Sequence, residues 1–157
     1  MRYALIDNDD ELHIKDGDWR AELGPEGPAQ VRLPSFGAIP VWSGWVNDDG
    51  HRLGLPRNLV GGLVLTGLGA SVWPYAGPIA ITGWDLHGLP TEVCDLDDDQ
   101  ITTIRDCHTD ARAAMAGAPG LRFRRAREVA EKMRTAPTPS LTIMSGAELL
   151  EYLRGRS

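Results

Sequence analysis

Residues 58–84 constrain the fold of this chain more than any other segment. They carry no charged side chain, whereas charged residues are frequent on both sides of them. Glycine and proline interrupt the segment at Gly61, Gly62, Gly67, Gly69, Pro74, Gly77, Pro78 and Gly83. A regular helix exposed to lipid would not tolerate so many interruptions. We therefore predict that the segment forms the buried core of a globular protein.

Two apolar runs bounded by glycine lie inside this segment, at residues 61–67 and 77–83. Short apolar runs between glycines are typical of buried strands, but a short helix can show the same pattern. The second run is predicted to be a strand. For the first run the sequence leaves strand and helix open.

Length and charge indicate one domain with an uneven charge distribution. A chain of 157 residues is long enough to bury an ordinary hydrophobic core, so we expect a single domain with a sheet-rich part (residues 1–96) and a helical part (residues 97–157). Residues 1–91 have a net charge of −5, residues 92–110 of −6 and residues 111–157 of +5. An acidic body does not attract nucleic acid as a whole, although a local basic patch could.

The cysteines and the N-terminus indicate a reducing compartment. Cys94 and Cys107 allow at most one disulfide, which a chain of this size does not need, so reduced thiols are expected. The N-terminal sequence reaches Asp7 too early to contain the apolar region of a signal peptide. We therefore expect a cytoplasmic protein.

Three β-hairpins are predicted before residue 97, because short β-prone runs alternate with polar turns. The predicted pairs are residues 3–7 with 12–15, residues 41–46 with 52–55, and residues 79–84 with 91–96. A brief strand is predicted at residues 31–33, and residues 16–30 are predicted to be mostly loop. Successive hairpins favour an antiparallel or mixed sheet.

Helical periodicity begins after Asp97. A mostly apolar series recurs at steps of three and four residues, and the aspartates at the start favour the helix dipole. The recurring positions are Ile101, Ile104, His108, Ala111 and Met115. A second helix is predicted from near Arg122, and residues 141–157 are expected to add a strand and a terminal helix. The predicted fold is therefore α+β, with a sheet over residues 2–96 packed against two or three C-terminal helices.

No cofactor motif or metal-binding motif is complete. The spacing from Gly62 to Gly67 is similar to a phosphate-binding loop, but Leu68 and Gly69 stand where lysine and serine or threonine are required. The histidines and cysteines lack the repeated close spacing of a zinc site. The acidic run at residues 95–99 lacks the spaced ligands of a calcium loop, and we interpret it as a solvated helix N-terminus. We therefore predict neither a cofactor nor a metal.

Asp85, His87 and Cys94 form the best catalytic candidate. A cysteine and a histidine can perform nucleophilic chemistry when the imidazole lies within hydrogen-bond distance of the sulfur. No nucleophile signature surrounds Cys94, and a turn histidine beside a small strand cysteine explains the same residues. A small enzyme, or a small-molecule binder with a pocket here, is therefore an alternative function.

The strongest charge feature is an arginine-rich segment at residues 122–134. Its cations are Arg122, Arg124, Arg125, Arg127, Lys132 and Arg134. They could bind the phosphates of a nucleic acid, which is a second alternative function. However, several of them have a glutamate four residues away, as in an ordinary solvated helix, and docking on an acidic protein surface explains the segment equally well.

Trp42 and Trp45 are the aromatic candidates for partner contact. Their spacing of three residues on a strand places the two indoles on opposite faces of a sheet. One of them is therefore expected to be exposed, and tryptophan is over-represented among interface hot spots.

Three motifs in the central part of the chain carry a family resemblance. They are Asn47-Asp48-Asp49-Gly50, Leu55-Pro56-Arg57-Asn58 and Gly77-Pro78-Ile79-Ala80-Ile81-Thr82-Gly83. In order and spacing they resemble an uncharacterised domain-of-unknown-function family of phages and actinobacterial mobile elements. The resemblance covers residues 2–96 and implies a small α+β accessory protein with a short helix after Asn58. It supplies no catalytic residues.

The function that we expect from the sequence is that of a non-enzymatic cytoplasmic binding protein, encoded by a phage or mobile element and acting on a host protein. Its contact residues would be Trp42 or Trp45 together with Arg122, Arg124, Arg125 and Arg127.

Overall fold

The computed structural model describes residues 1–33, 41–85, 92–117 and 126–138. The strands are β1 (Arg2–Ile6), β2 (Leu12–Asp16), β3 (Pro28–Arg32), β4 (Val41–Asn47), β5 (Ile79–Asp85) and β6 (Glu92–Cys94). The helices are α1 (Leu59–Gly67), α2 (Asp98–Met115) and α3 (Ala126–Thr135), with a 3-10 turn at Trp19–Glu22. This arrangement confirms the predicted α+β class. Within the described ranges, no helix combines the length and apolar character needed to cross a membrane.

All strands pair antiparallel, in the order β2-β1-β5-β4-β3, and β6 pairs with the C-terminal half of β5. The central strand is β5, because Ile81 faces Ala4 of β1 on one side and Gly44 of β4 on the other. β2 and β3 are the edges of this path. The structure therefore selects the antiparallel alternative for the sheet.

Two of the three predicted hairpins are confirmed, namely β1 with β2 and β5 with β6. The hairpin predicted between residues 41–46 and 52–55 is wrong. Residues 48–54 form turns, and the partners of β4 are β3 and β5. β3 begins at Pro28, earlier than predicted, and the segment predicted as loop contains the 3-10 turn.

Residues 59–67 form a helix, which settles the alternative that the sequence left open. Asn58 caps its N-terminus, because the Asn58 Oδ1 atom accepts a 2.8 Å hydrogen bond from the Gly61 N–H. The Nδ2 group of the same side chain lies 3.1 Å from the Ile6 carbonyl oxygen, 3.2 Å from that of Asp7 and 3.1 Å from that of Gly77. The buried amide of Asn58 therefore joins α1 to the C-terminal end of β1 and to the segment before β5.

The α1 helix is apolar on most of its surface because it lies in the middle of the protein. Its residues Val60 to Leu65 are all buried. It contacts α2 and α3, and its side chains share one core cluster with those of β1 and β5. A helix enclosed by other elements needs no polar face.

The predicted helix after Asp97 is confirmed as α2. Asp97 and Gln100 form a capping box, in which the Asp97 side chain accepts from the Gln100 N–H at 2.7 Å and the Gln100 side chain accepts from the Asp97 N–H at 2.9 Å. Cys107 and His108 are buried on this helix, and the His108 Nε2 atom lies 2.7 Å from the carbonyl oxygen of Asp10. Both cysteines are free thiols. Among the described residues, no group of three or more potential ligands could hold a metal ion.

The two faces of the sheet carry separate cores. The larger core lies between the sheet and the helices. The smaller core lies on the opposite face, where Trp19 and Leu23 cover Tyr3, Leu5 and Ala80. Helices therefore pack on one face of the sheet, and the short segment around the 3-10 turn packs on the other.

Arg57 fastens the C-terminal end of α3. Its Nη1 atom donates to the carbonyl oxygens of Met133 at 2.6 Å and Arg134 at 2.8 Å. The last carbonyls of a helix have no partner within the helix, and they carry partial negative charge that favours a cation. Arg57 thus ties the segment before α1 to the last turn of α3.

Arg57→Ala is therefore expected to loosen the end of α3 at a cost of about 1–2 kcal/mol, because the two charge-assisted bonds are lost. Amide hydrogen exchange of residues 130–136 is the measurement, and we expect it to accelerate while exchange in α2 stays the same. The matched control is Arg112→Ala, since Arg112 is half-exposed and its ion pair is with the half-exposed Glu11. Unchanged exchange in α3 would contradict the role of Arg57.

Candidate binding cleft

A cleft of about 810 Å³ lies at the end of the sheet where β4 ends and β5 begins. It is enclosed by β3, the end of β4 and the turn that follows it, the segment before β5, and the chain just after α3. The lining residues are Ala29, Gln30, Val31, Val46, Asn47, Asp48, Asp49, His51, Arg52, Trp73, Tyr75, Ala76 and Thr138. Its volume is within the range of about 300–1,000 Å³ that is usual for ligand sites. We call it the edge cleft.

The floor of the edge cleft is apolar. Val31 and Val46 are half-buried and pack against the larger core, and Ala76 is buried. Tyr75 is also buried, and this burial raises the pKa of its phenol above the ordinary value. Tyr75 is therefore neutral across the physiological range and adds no charge to the floor.

Trp73 stands at the edge cleft with 50% of its surface exposed, which is the largest value among the exposed large hydrophobic residues of the described part. Its neighbour Val72 is 41% exposed. Val72 and Trp73 therefore form a small exposed apolar surface. The tryptophan that the structure presents to solvent is thus Trp73.

The charged residues of the edge cleft are largely paired. Arg52 donates to both carboxylate oxygens of Asp49, from Nε at 3.0 Å and from Nη2 at 2.8 Å. These hydrogen bonds lower the pKa of Asp49 and raise the pKa of Arg52. The Nε2 atom of His51 is buried and has no hydrogen-bond partner among the described residues. This arrangement provides a polar wall of the edge cleft.

The edge strand β3 exposes part of its backbone along the cleft. The Asp48 N–H donates to the Gly27 carbonyl at 3.3 Å, so Gly27 and Asp48 form a hydrogen-bonded pair. Along an antiparallel ladder, hydrogen-bonded pairs alternate with pairs that are not hydrogen-bonded. Ala29 and Val31 therefore direct their N–H and C=O groups toward β4, while Gln30 directs its own outward. Gln30 is exposed, and within the described ranges β3 pairs with no strand other than β4.

Trp42 and Trp45 lie on opposite faces of the sheet, as predicted, but both are half-buried. Trp42 packs against the larger core and Trp45 against the smaller one. The Trp45 ring lies 4.5 Å from that of Trp19 between centroids, and its Nε1 atom donates to the Thr82 hydroxyl at 2.9 Å. Both side chains thus take part in packing of the sheet, and neither lines the edge cleft.

Asp85 and Cys94 lie at the other end of β5, away from the edge cleft. Cys94 faces Gly83, and Asp85 faces Glu92 on the same ladder. Burial raises the pKa of the Cys94 thiol, and the carboxylates of Asp85, Asp95 and Asp97 raise it further. This environment favours the thiol over the nucleophilic thiolate. His87 lies outside the described residues.

The described part of the arginine-rich segment has its cations in ion pairs. Lys132 lies 3.5 Å from Glu128, as the spacing of four residues predicts, and Arg134 pairs with Glu131. Both pairs are exposed, as on an ordinary solvated helix surface. Arg122, Arg124 and Arg125, as well as the side chain of Arg127, lie outside the described residues.

Sequence reasoning missed the edge cleft because its walls come from four separate parts of the chain. The one local signal was the Trp73-Pro74-Tyr75 step between two buried apolar runs, where aromatic residues follow a glycine-rich helix end. No protein-family model, curated protein or solved structure matches this chain.

Proposed function

We propose that this chain is a non-enzymatic binding protein that holds an extended segment of a protein partner in the edge cleft. The observation that carries the proposal is the position of Trp73, half-exposed beside an apolar floor and an edge strand. Tryptophan is enriched among residues that dominate binding energy, especially where it adjoins a pocket.

The chemistry of the cleft supports recognition over catalysis. Asp49 and Arg52 are bound to each other in a bidentate pair, and the Tyr75 phenol is held neutral by burial. A catalytic site needs a nucleophile or base with a pKa tuned to the reaction. Among the described lining residues, the shifts of Asp49, Arg52 and Tyr75 all favour the protonation state that each group already has at neutral pH.

The shape and composition of the cleft support a polypeptide ligand. An apolar floor flanked by an aromatic side chain and an open strand edge suits alternate side chains and the backbone of an extended segment. The chain carries a net charge of −6, which does not favour nucleic acid as the main partner. The resemblance to phage and mobile-element proteins favours a host protein as the source of the segment.

Trp73→Ala is expected to weaken partner binding by about 30-fold, which corresponds to the loss of a hot spot worth about 2 kcal/mol. The partner is first isolated by placing a photo-crosslinking amino acid at position 72 of the full chain, where the exposed Val72 adjoins Trp73, and irradiating an extract of the encoding cells. The affinity of the purified partner for the wild-type chain and the variant is then measured by calorimetry.

The matched control is Leu53→Ala, because Leu53 is an exposed apolar residue that does not line the edge cleft. We expect this variant to bind like the wild-type chain. The proposal fails if no protein is crosslinked from position 72, or if Trp73→Ala and Leu53→Ala bind the isolated partner with equal affinity.

A further inference from the structure

We infer that the partner segment joins the sheet as an antiparallel strand beside β3, with apolar side chains entering the edge cleft at alternate positions and a basic residue opposite Pro28. This inference depends on the proposed function and specifies the chemistry of the partner. Three features of β3 and its surroundings lead to it.

The first feature is the set of backbone groups that β3 leaves open. Because Ala29 and Val31 bond to β4, the groups that point outward are the N–H and C=O of Gln30 and the C=O of Pro28. Proline has no N–H, so an added strand can only donate at that position. In an added antiparallel strand, the residue opposite Gln30 therefore bonds to Gln30 through both its N–H and its C=O. This pair fixes the register.

The second feature is the direction of the side chains. Ala29 and Val31 both line the edge cleft and lie on the helix side of the sheet. Residues opposite each other on an antiparallel ladder share a face. The partner residues opposite Ala29 and Val31 therefore point into the cleft toward Val46 and Trp73, where apolar side chains fit. The partner residue opposite Gln30 points to the other face.

The third feature is the charge at the Pro28 end of β3. The Asn47 side chain donates to the Glu26 carboxylate at 3.2 Å, and Asn47 is the ladder partner of Pro28. Glu26 is exposed, so its carboxylate is open to a further partner. A partner residue opposite Pro28 shares the face of Asn47, and a lysine or arginine there can pair with Glu26.

A synthetic heptapeptide tests this inference on the full-length chain. The probe is acetyl-Ser-Thr-Val-Thr-Val-Lys-Ser-amide, in which the valines occupy the cleft positions, the second threonine lies opposite Gln30 and the lysine lies opposite Pro28. We expect the Gln30 amide to exchange freely in the protein alone and at least about tenfold more slowly at saturating peptide, because it becomes a ladder donor. Trp73 fluorescence is expected to shift in the same titration.

Backbone methylation of the peptide separates strand addition from simple apolar contact. N-methylation of the second threonine removes the N–H that bonds Gln30, and we expect an affinity loss of about tenfold or more. The N–H of each valine points away from β3, so N-methylation of either valine is expected to change the affinity by less than about threefold. Glu26→Gln should weaken binding of the lysine peptide, but not binding of a peptide in which serine replaces the lysine. The control is Glu92→Gln, at the far end of the sheet.

Several results would overturn the inference. They are a Gln30 amide already protected in the free monomer, a dimer whose contacts include Gln30, an absence of peptide binding, and equal effects of methylation at threonine and valine. Each of these leaves the proposed function standing if the isolated partner still depends on Trp73. An absence of crosslinking from position 72 would instead reject the proposed function itself.

Discussion

Asn58→Ala is expected to destabilise the fold by about 3–4 kcal/mol, a large share of the total stability of a domain of this size. The substitution removes the N-cap of α1, and it removes the buried amide that donates toward the carbonyl oxygens of Ile6 and Gly77. A lost cap costs about 1 kcal/mol, and each buried unsatisfied group costs about 1–3 kcal/mol. Chemical denaturation monitored by circular dichroism measures the free energy of unfolding.

Asp97→Ala is the matched control for Asn58→Ala, because Asp97 caps α2 in the same way but from an exposed position. Its loss should cost only about 1 kcal/mol, as is usual for a helix cap. Equal destabilisation by the two variants would mean that Asn58 acts as a cap alone, without its role as a buried donor.

Gly83→Ala is expected to cost about 2–3 kcal/mol, as overpacking of a buried site usually does. A Cβ atom at Gly83 would lie 2.6 Å from the carbonyl oxygen of Asp95 and 2.9 Å from that of Cys94. Both obstacles belong to the backbone of β6 and the residue after it, so relief requires the strands to separate. The loss in free energy of unfolding is measured by calorimetry of thermal unfolding.

Gly62→Ala is the matched control for Gly83→Ala. A Cβ atom at Gly62 would lie 2.8 Å from the Met133 sulfur, but this is the end of a flexible side chain that can move aside. Alanine also gains about 1 kcal/mol over glycine within a helix, which offsets the cost of repacking. If Gly62→Ala were as destabilising as Gly83→Ala, rigid contact with the β6 backbone would not be the cause.

The sequence predicted elements well where one side of the element meets solvent. The α2 helix was identified because its core positions, from Ile101 to Ala111, alternate with exposed residues. The α1 helix and β5 are both buried and both bounded by glycine, so the period that distinguishes helix from strand is absent. Asn58 is a residue type favoured at helix N-caps, and this local signal could have distinguished the helix from the strand.

The incorrect hairpin and the missed cleft have a common physical cause. The turn at residues 47–50 has the local chemistry of a hairpin, but the residues after it do not pair with β4. Instead, β5 from a distant part of the chain occupies that side of β4 and pairs along it from Val41 to Val46. The edge cleft forms between the resulting elements, so neither its walls nor the exposure of Trp73 could be deduced from local pattern.

The strand order also determines when the sheet can be completed during folding. In the sheet of the described strands, β5 joins the hairpin of β1 with β2 to the pair of β3 with β4. Contacts such as Ala4 with Ile81 link residues far apart in the chain, and closing such long loops slows folding. During synthesis on the ribosome, each of these two strand pairs therefore has an uncovered edge until β5 emerges and fills the gap.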